Sequence, residues 1–152
     1  MQLVVGKGDL FAASIGGPFC YAHCVSADFA LGAGIAVQFD KRFQMREKLR
    51  RDHPLFVQEF AKMQERGEFG TCLLEGNVLN LVTKLRYWEK PTRASVYAAL
   101  QSAKSVCEQN HITSICMPKI AAGLDRRPWK ETEADIRRVW DGTNMRIFVY
   151  CL

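Results

Sequence analysis

The 152-residue chain has no C-x-x-C pair, no G-x-S-x-G, and neither G-x-G-x-x-G nor G-x-x-x-x-G-K-[ST]. Each absence removes a class of chemistry. Without paired cysteines the common zinc and dithiol motifs are missing. Without the other three motifs, the nucleophile elbow, the dinucleotide fingerprint and the P-loop are excluded as recognisable signatures. Histidine is scarce: His23, His53 and His111 show no metal-ligand spacing, so no metal and no cofactor is expected. His23, Ser26 and Asp28 crowd into one local segment, too little to make a catalytic triad. No apolar run approaches the roughly 20 residues that span a bilayer. Met1 to Lys7 meets Gly8-Asp9 too soon for a secretory signal, so an intracellular location, cytoplasm or nucleus, and no membrane association are expected. Repeats, low-complexity segments and linkers are also missing, which predicts a single domain over 1–152 and a monomer.

What is present fits a folded domain in a reducing compartment. Apolar residues make up 48% and charged residues 24% of the chain, enough to bury a core. Cys20, Cys72, Cys116 and Cys151 fall in predicted strands and Cys107 in a predicted helix, as small buried thiols would. The net charge of +5 suits an acidic ligand or partner. The excess is local: between Asp40 and Asp52, Lys41, Arg42, Arg46, Lys48, Arg50 and Arg51 outnumber the acids. That stretch is either the solvated face of an amphipathic helix carrying Phe43 and Leu49, or a patch for a phosphate backbone.

Hydrophobic periodicity gives the element order β-β-α-α-β-β-α-β-α-β. Leu3–Val5, Phe19–Val25, Ser114–Met117 and Met145–Leu152 are predicted strands, and Ser14 to Pro18 a loop. Gly70–Glu75 and Val78–Thr83 read as hairpin arms around Gly76-Asn77. Helices are predicted from about Gly34 to Arg51, Leu55 to Arg66 and Ala94 to Asn110, then one opened by Pro128 that buries Ile136, Val139 and Trp140. His53-Pro54 separates the first two. Alternating strands and helices argue for an α/β fold, and the hairpin makes its sheet mixed, mostly parallel.

In such sheets ligands bind beyond the carboxyl ends of strands. Four stretches lie at those ends: Gly8 to Phe11, Cys24 to Gly34, Thr83-Lys84 and Ile120 to Asp125. Two glycine-bearing loops facing each other suit a diphosphate, with Gly32-Ala33-Gly34 at a helix entrance. Asp9 either accepts from an adenine amino group or caps its own loop.

Together Gly8-Asp9-Leu10-Phe11, Ala22-His23-Cys24-Val25-Ser26 leading into Leu31 to Ala36, and Met117-Pro118-Lys119-Ile120 with Gly123-Leu124-Asp125-Arg126 resemble a macrodomain. Within that family the chain is most similar to the terminal ADP-ribose protein glycohydrolase branch, also described as O-acyl-ADP-ribose deacylases. The resemblance spans the whole chain and implies a three-layer α/β/α sandwich that binds ADP-ribose. It assigns ligand contacts to Asp9, Leu10, Ser26, Gly32, Ala33, Gly34, Ile35, Ile120, Ala121, Ala122, Gly123 and Leu124. It makes Lys84, in Val-Thr-Lys, and Asp125, in Gly-Leu-Asp-Arg, the catalytic pair. The second loop departs from the family pattern, with Ala121 where relatives carry glycine.

The implied substrates are ADP-ribosylated protein, linked through glutamate or aspartate esters, and O-acyl-ADP-ribose. A neutral lysine amine can attack the aldehyde carbon of an opened ribose to give a Schiff base, and a carboxylate beside it can shuttle protons. Two alternatives stand beside this one: a module that binds ADP-ribose without cleaving it, and a protein that removes ADP-ribose from nucleic acid. Trp88 and Tyr87 either stack on a base or cover the cleft.

Overall fold

The computed structural model describes residues 1–12 and 18–151. Of the loop expected at Ser14 to Pro18 only Pro18 is described, and Leu152 at the chain end also lies outside the described residues. The strands are β1 (Gln2–Lys7), β2 (Phe19–Ser26), β3 (Thr71–Glu75), β4 (Val78–Lys84), β5 (Ser114–Met117) and β6 (Arg146–Cys151). The helices are α1 (Ile35–Phe43), α2 (Met45–Asp52), α3 (Phe56–Glu65), α4 (Arg93–Gln109) and α5 (Trp129–Val139), with a 3-10 turn at Leu10–Ala12.

Among the described residues one sheet runs in the order β1-β6-β5-β2-β4-β3. Every neighbouring pair is parallel except the β3–β4 hairpin. The carboxyl ends of β1, β2, β4, β5 and β6 therefore share one edge.

Strand alternation sends successive side chains to opposite faces, and each face has its own apolar layer. On one side Ala22, Leu81, Ile115 and Ile147 pack with Leu100, Ala103, Ile136 and Trp140 of α4, α5 and the α5 end. On the other Tyr21, Val25, Val82 and Cys116 pack with Phe39, Met45, Leu49 and Phe60 of α1 to α3. The result is three layers, as expected. Gly70 shows how closely α4 lies on the sheet, since a Cβ there would stand 2.2 Å from the Ser95 carbonyl oxygen.

One expectation is corrected. The helix expected from Gly34 to Arg51 is two helices, broken at Gln44 with φ 52° and ψ 44°. The apolar phase slips there: Phe39 and Phe43 are four apart, but Met45 follows Phe43 by two. The break lets Phe39, Met45 and Leu49 all be buried. Asp40 fastens both sides, its carbonyl accepting the Gln44 N–H at 2.8 Å and its carboxylate the Arg46 N–H at 3.0 Å. Pro128 stands just before α5 rather than inside its first turn.

Candidate active site

The shared edge of the sheet opens into a cleft of about 900 Å³. Its walls are the loops after β2, β4 and β5. After β2 the chain turns tightly, with the Phe29 N–H bonded to the Ser26 carbonyl at 3.0 Å. Phe29 and Leu31 take left-handed angles, φ 52° and 45°, and are buried. The loop reaches α1 through Gly34, φ 63° and ψ −148°, a conformation that is essentially glycine-only. Among the described residues the N–H groups of Gly32, Ala33, Gly34 and Ile35 have no protein partner. These are the orphan donors of a helix start, pointing positive partial charge at the cleft.

The loop after β5 faces it. A Cβ on Gly34 would lie 3.1 Å from Leu124 Cδ1, so the two loops touch at the mouth. Ala121 is left-handed, φ 60°, and its carbonyl accepts the Arg127 N–H at 2.7 Å. Its amide is hydrogen-bonded toward the Cys24 sulfur, and the Ala122 N–H goes to the Lys119 carbonyl at 3.2 Å. Among the described residues the N–H groups of Gly123, Leu124 and Asp125 have no protein partner.

Lys84, at the end of β4, meets Asp125 across the cleft, Nζ to Oδ1 at 2.8 Å, and each side chain is only 15% exposed. Cys24 lines the cleft beside this pair. Burial pushes its thiol up to about 12, with the Asp125 charge adding to the effect, so it stays protonated. His23, one residue earlier, points into the opposite layer. It stacks on Phe39 at 4.0 Å and holds Asn80 Oδ1 at 2.6 Å. Burial drives its pKa down to about 4.

Most of the expected residues come together. Lys84, Asp125, Ser26, Gly32 to Ile35, Ile120, Ala121, Gly123 and Leu124 all line the cleft. Ala122 is not among the lining residues, and its amide is already used. Asp9 and Leu10 also stand apart from the described wall. The Asp9 carboxylate accepts the Phe11 N–H of its own turn at 3.0 Å, and Leu10 is buried against the α1 layer. Ser26 donates to Asp28 at 2.5 Å. The basic stretch 40–52 is partly spent on structure: Arg42 covers the Phe11 ring at 4.4 Å, and Arg46 reaches the Leu31 carbonyl at 3.4 Å.

Three further features shape the cleft mouth: the Tyr87–Trp88 pair, expected from the sequence at a base or over the cleft, and two ties made by Lys90 and Asp28, which the sequence does not signal. Tyr87 and Trp88, edge to face at 5.1 Å, stand at the mouth 63% and 65% exposed. Lys90 Nζ donates to the Leu124 carbonyl at 2.7 Å, tying the loop after β4 to the loop after β5. Asp28 ties it to the loop after β2 through the Tyr87 N–H at 3.0 Å.

No protein-family model matches the chain. It is 38% identical over 148 residues to the human "ADP-ribose glycohydrolase OARD1", covering 96% of this chain and 89% of that one. The macrodomain of Mycobacterium tuberculosis DarG superposes with TM-score 0.76 at 20% identity, covering 99% of this chain and 98% of that one. Thermosipho africanus DarTG in complex with ADP-ribose superposes with TM-score 0.65 at 17% identity, covering 98% of this chain and 41% of that one. The strand order, the cleft at the carboxyl edge and the identity across nearly the full length agree: the chain belongs to the family of the ADP-ribose glycohydrolase OARD1, built on the macrodomain fold.

Proposed function

We propose that the chain is an ADP-ribose-binding hydrolase that frees ADP-ribose from acyl-linked adducts, namely glutamate and aspartate esters on protein and O-acetyl-ADP-ribose. One observation carries this reading: the 2.8 Å contact between Lys84 and Asp125 at the end of a cleft lined with open amides. The names of the relatives at 38% identity support it.

The pyrophosphate would lie on the amides of Gly32 to Ile35 and of Gly123 and Leu124, where a helix start favours negative charge. The distal ribose then rests against the ion pair. A proton passes from Lys84 Nζ to the Asp125 carboxylate, leaving a neutral amine and a neutral acid. Where the acyl group is esterified at C1″, the amine attacks that carbon. The N–C bond forms, the C–O bond breaks, and the acyl group leaves as a carboxylate. The nitrogen, now a secondary ammonium, releases one proton to solvent, and Asp125 gives its proton to the ring oxygen, so the ring opens to a protonated lysine imine and Asp125 becomes a carboxylate. Water adds to the imine carbon and yields its proton to Asp125. The C–N bond then breaks, restoring the amine and releasing ADP-ribose. General acid–base assistance of this kind supplies about 10²–10⁴-fold.

The test is turnover of a glutamate-linked mono-ADP-ribosyl peptide by wild type, Lys84→Ala and Asp125→Ala. Borohydride should trap ADP-ribose on Lys84, read as a mass increase on the Lys84 peptide. Unchanged turnover in both variants overturns the mechanism. Saturable ADP-ribose binding with no product from any acyl adduct would make the chain a reader instead.

The exposed Tyr87–Trp88 pair, in a cleft that Lys90 and Lys119 also line, favours a second reading, an adduct on nucleic acid whose base stacks at the mouth. An ADP-ribosylated oligonucleotide cleaved faster than the peptide, with a rate that falls steeply as salt rises, would select it.

A further inference from the structure

We propose that Asp28 is a positioning residue for this reaction, whose carboxylate holds the loop after Lys84 in register with the amide-bearing loop after β2. The inference rests on the hydrolase reading. Asp28 is not part of the cleft wall among the described residues. It lines a smaller recess of about 270 Å³ on the other side of the loop, beside Arg50 and His53. Whatever it does for a ligand in the cleft it does through other residues.

The backbone ladder shows why a side chain is needed. β2 and β4 stay paired to Ser26 and Lys84, with a bulge between Val25 and Ser26. One more main-chain bond follows, from the Ala27 N–H to the Lys84 carbonyl at 2.9 Å. Beyond it the two chains diverge, and the Asp28 carboxylate continues the pairing. Oδ2 accepts the Tyr87 N–H at 3.0 Å. Oδ1 accepts the Ser26 hydroxyl at 2.5 Å and the Ala30 N–H at 3.3 Å. The same group thus fixes Tyr87, next to Trp88, on one side and the entrance of the 30–35 loop on the other. That entrance needs holding, because Phe29 and Leu31 both keep left-handed angles that persist only when their surroundings over-determine them. Bonds from backbone amides to a carboxylate are charge-assisted and among the stronger ones available.

Lys84 itself remains fixed by the Ala27 bond and by Asp125. Releasing the Asp28 contacts should therefore loosen substrate binding more than the chemical step. Asp28→Asn keeps the shape, and one oxygen still serves Ser26 and Ala30, but it turns an N–H toward the Tyr87 N–H. The expected result on the acyl-linked peptide is KM raised about tenfold with kcat within about threefold, the size of one lost charge-assisted bond. Lys90→Ala frees the same loop from the Leu124 carbonyl. If both act through the position of that loop, the double variant should raise KM by less than the product of the single effects.

A lower melting temperature with a smaller active fraction and an unchanged KM would overturn the proposal, because the role would then be structural only. A fall in kcat at unchanged KM, or exact additivity with Lys90→Ala, would also overturn it. If wild type cleaves no acyl adduct, the hydrolase reading has failed instead. Calorimetry with ADP-ribose then decides for Asp28: binding about tenfold weaker in Asp28→Asn is expected, and equal affinity overturns the role.

Discussion

The loops after β2 and β5 face each other and offer the same group, the free backbone N–H, but they reach it differently. The first puts glycine where its angles demand it: Gly34 has φ 63°, and its four open amides run unbroken from Gly32 to Ile35. The second puts non-glycine residues at its left-handed positions, Ala121 at φ 60° and Arg126 at φ 55°, and carries its glycine at Gly123. Two of its amides are already taken, one toward the Cys24 sulfur of β2 and one by the Lys119 carbonyl of its own loop. Among the described residues the first loop leaves all four of its donors open. The second is cross-tied because it must also hold Asp125 at 2.8 Å from Lys84. The difference is a division of labour that substitutions can separate.

Asp125→Asn should have the largest effect. The amide still bonds to Lys84 but cannot take its proton, so kcat should fall by about 10²-fold or more while the ADP-ribose Kd stays within about threefold. Measuring both on one preparation decides the matter. A Kd that collapses together with kcat would mean that this loop cannot be split into gripping and reacting parts.

Acid should strike the first loop's side. α1 leaves that loop and rests Phe39 on His23, whose pKa lies at about 4 in the folded chain against an ordinary 6.5. Between those values the unfolded chain binds the extra proton, so stability falls as pH drops from 6.5 toward 4. The full loss is about 3 kcal/mol, at 1.36 kcal/mol per unit. Denaturant titrations at pH 7, 5.5 and 4.5 on wild type and His23→Gln should show a shallower slope for the variant. Equal slopes would remove His23 from the account.

Gly34→Ala tests the grip. The methyl group would sit 3.1 Å from Leu124 Cδ1 in a conformation alanine avoids. Strain of about 1–3 kcal/mol predicts an ADP-ribose Kd raised tenfold or more. Gly32→Ala is the control, because its Cβ would meet only the Ala30 carbonyl at 3.9 Å. Equal losses at both positions would locate the effect in ligand contact rather than in loop geometry.

Much of this was legible in the residues. The alternation of strands and helices gave the layers, and strand-end logic with the macrodomain resemblance brought Lys84 and Asp125 together across 41 positions. The helix break at Gln44 was missed, since one helix was expected from Gly34 to Arg51; its physical reason is the phase slip from Phe43 to Met45, a shift of two where the helical period asks for three or four. Asp28 and Lys90 were not legible. Their partners are main-chain atoms of other loops, the Tyr87 N–H and the Leu124 carbonyl, and no residue type marks where a loop's backbone will pass. For Asp9 the strand end leaves two readings, an adenine amino group or its own loop, and the resemblance adds the ligand contact for it and for Leu10. Here Asp9 satisfies its own turn, and Leu10 is one of the apolar residues that close the α1 layer.

The smallest effect should come from Ala121→Gly, and its smallness is informative. Left-handed angles cost alanine about 1–2 kcal/mol, which glycine avoids. Against that, Ala121 is 6% exposed. Losing a buried methyl forfeits about 0.8 kcal/mol, and glycine's freer unfolded chain costs a further 0.5–1 kcal/mol or so. The terms nearly cancel, so stability should change by less than about 1 kcal/mol, within roughly 2–4 °C in Tm. The balance explains how this loop can carry alanine where the first loop carries glycine: at Ala121 the methyl packs, whereas at Gly34 it would meet Leu124. A gain above about 2 kcal/mol in a denaturant titration would show that the second loop is held under strain, and a loss of that size that packing of the methyl dominates. Ala121→Val separates strain from packing. Branching at Cβ makes a left-handed residue a true outlier, so valine should destabilise the fold even though it is more apolar.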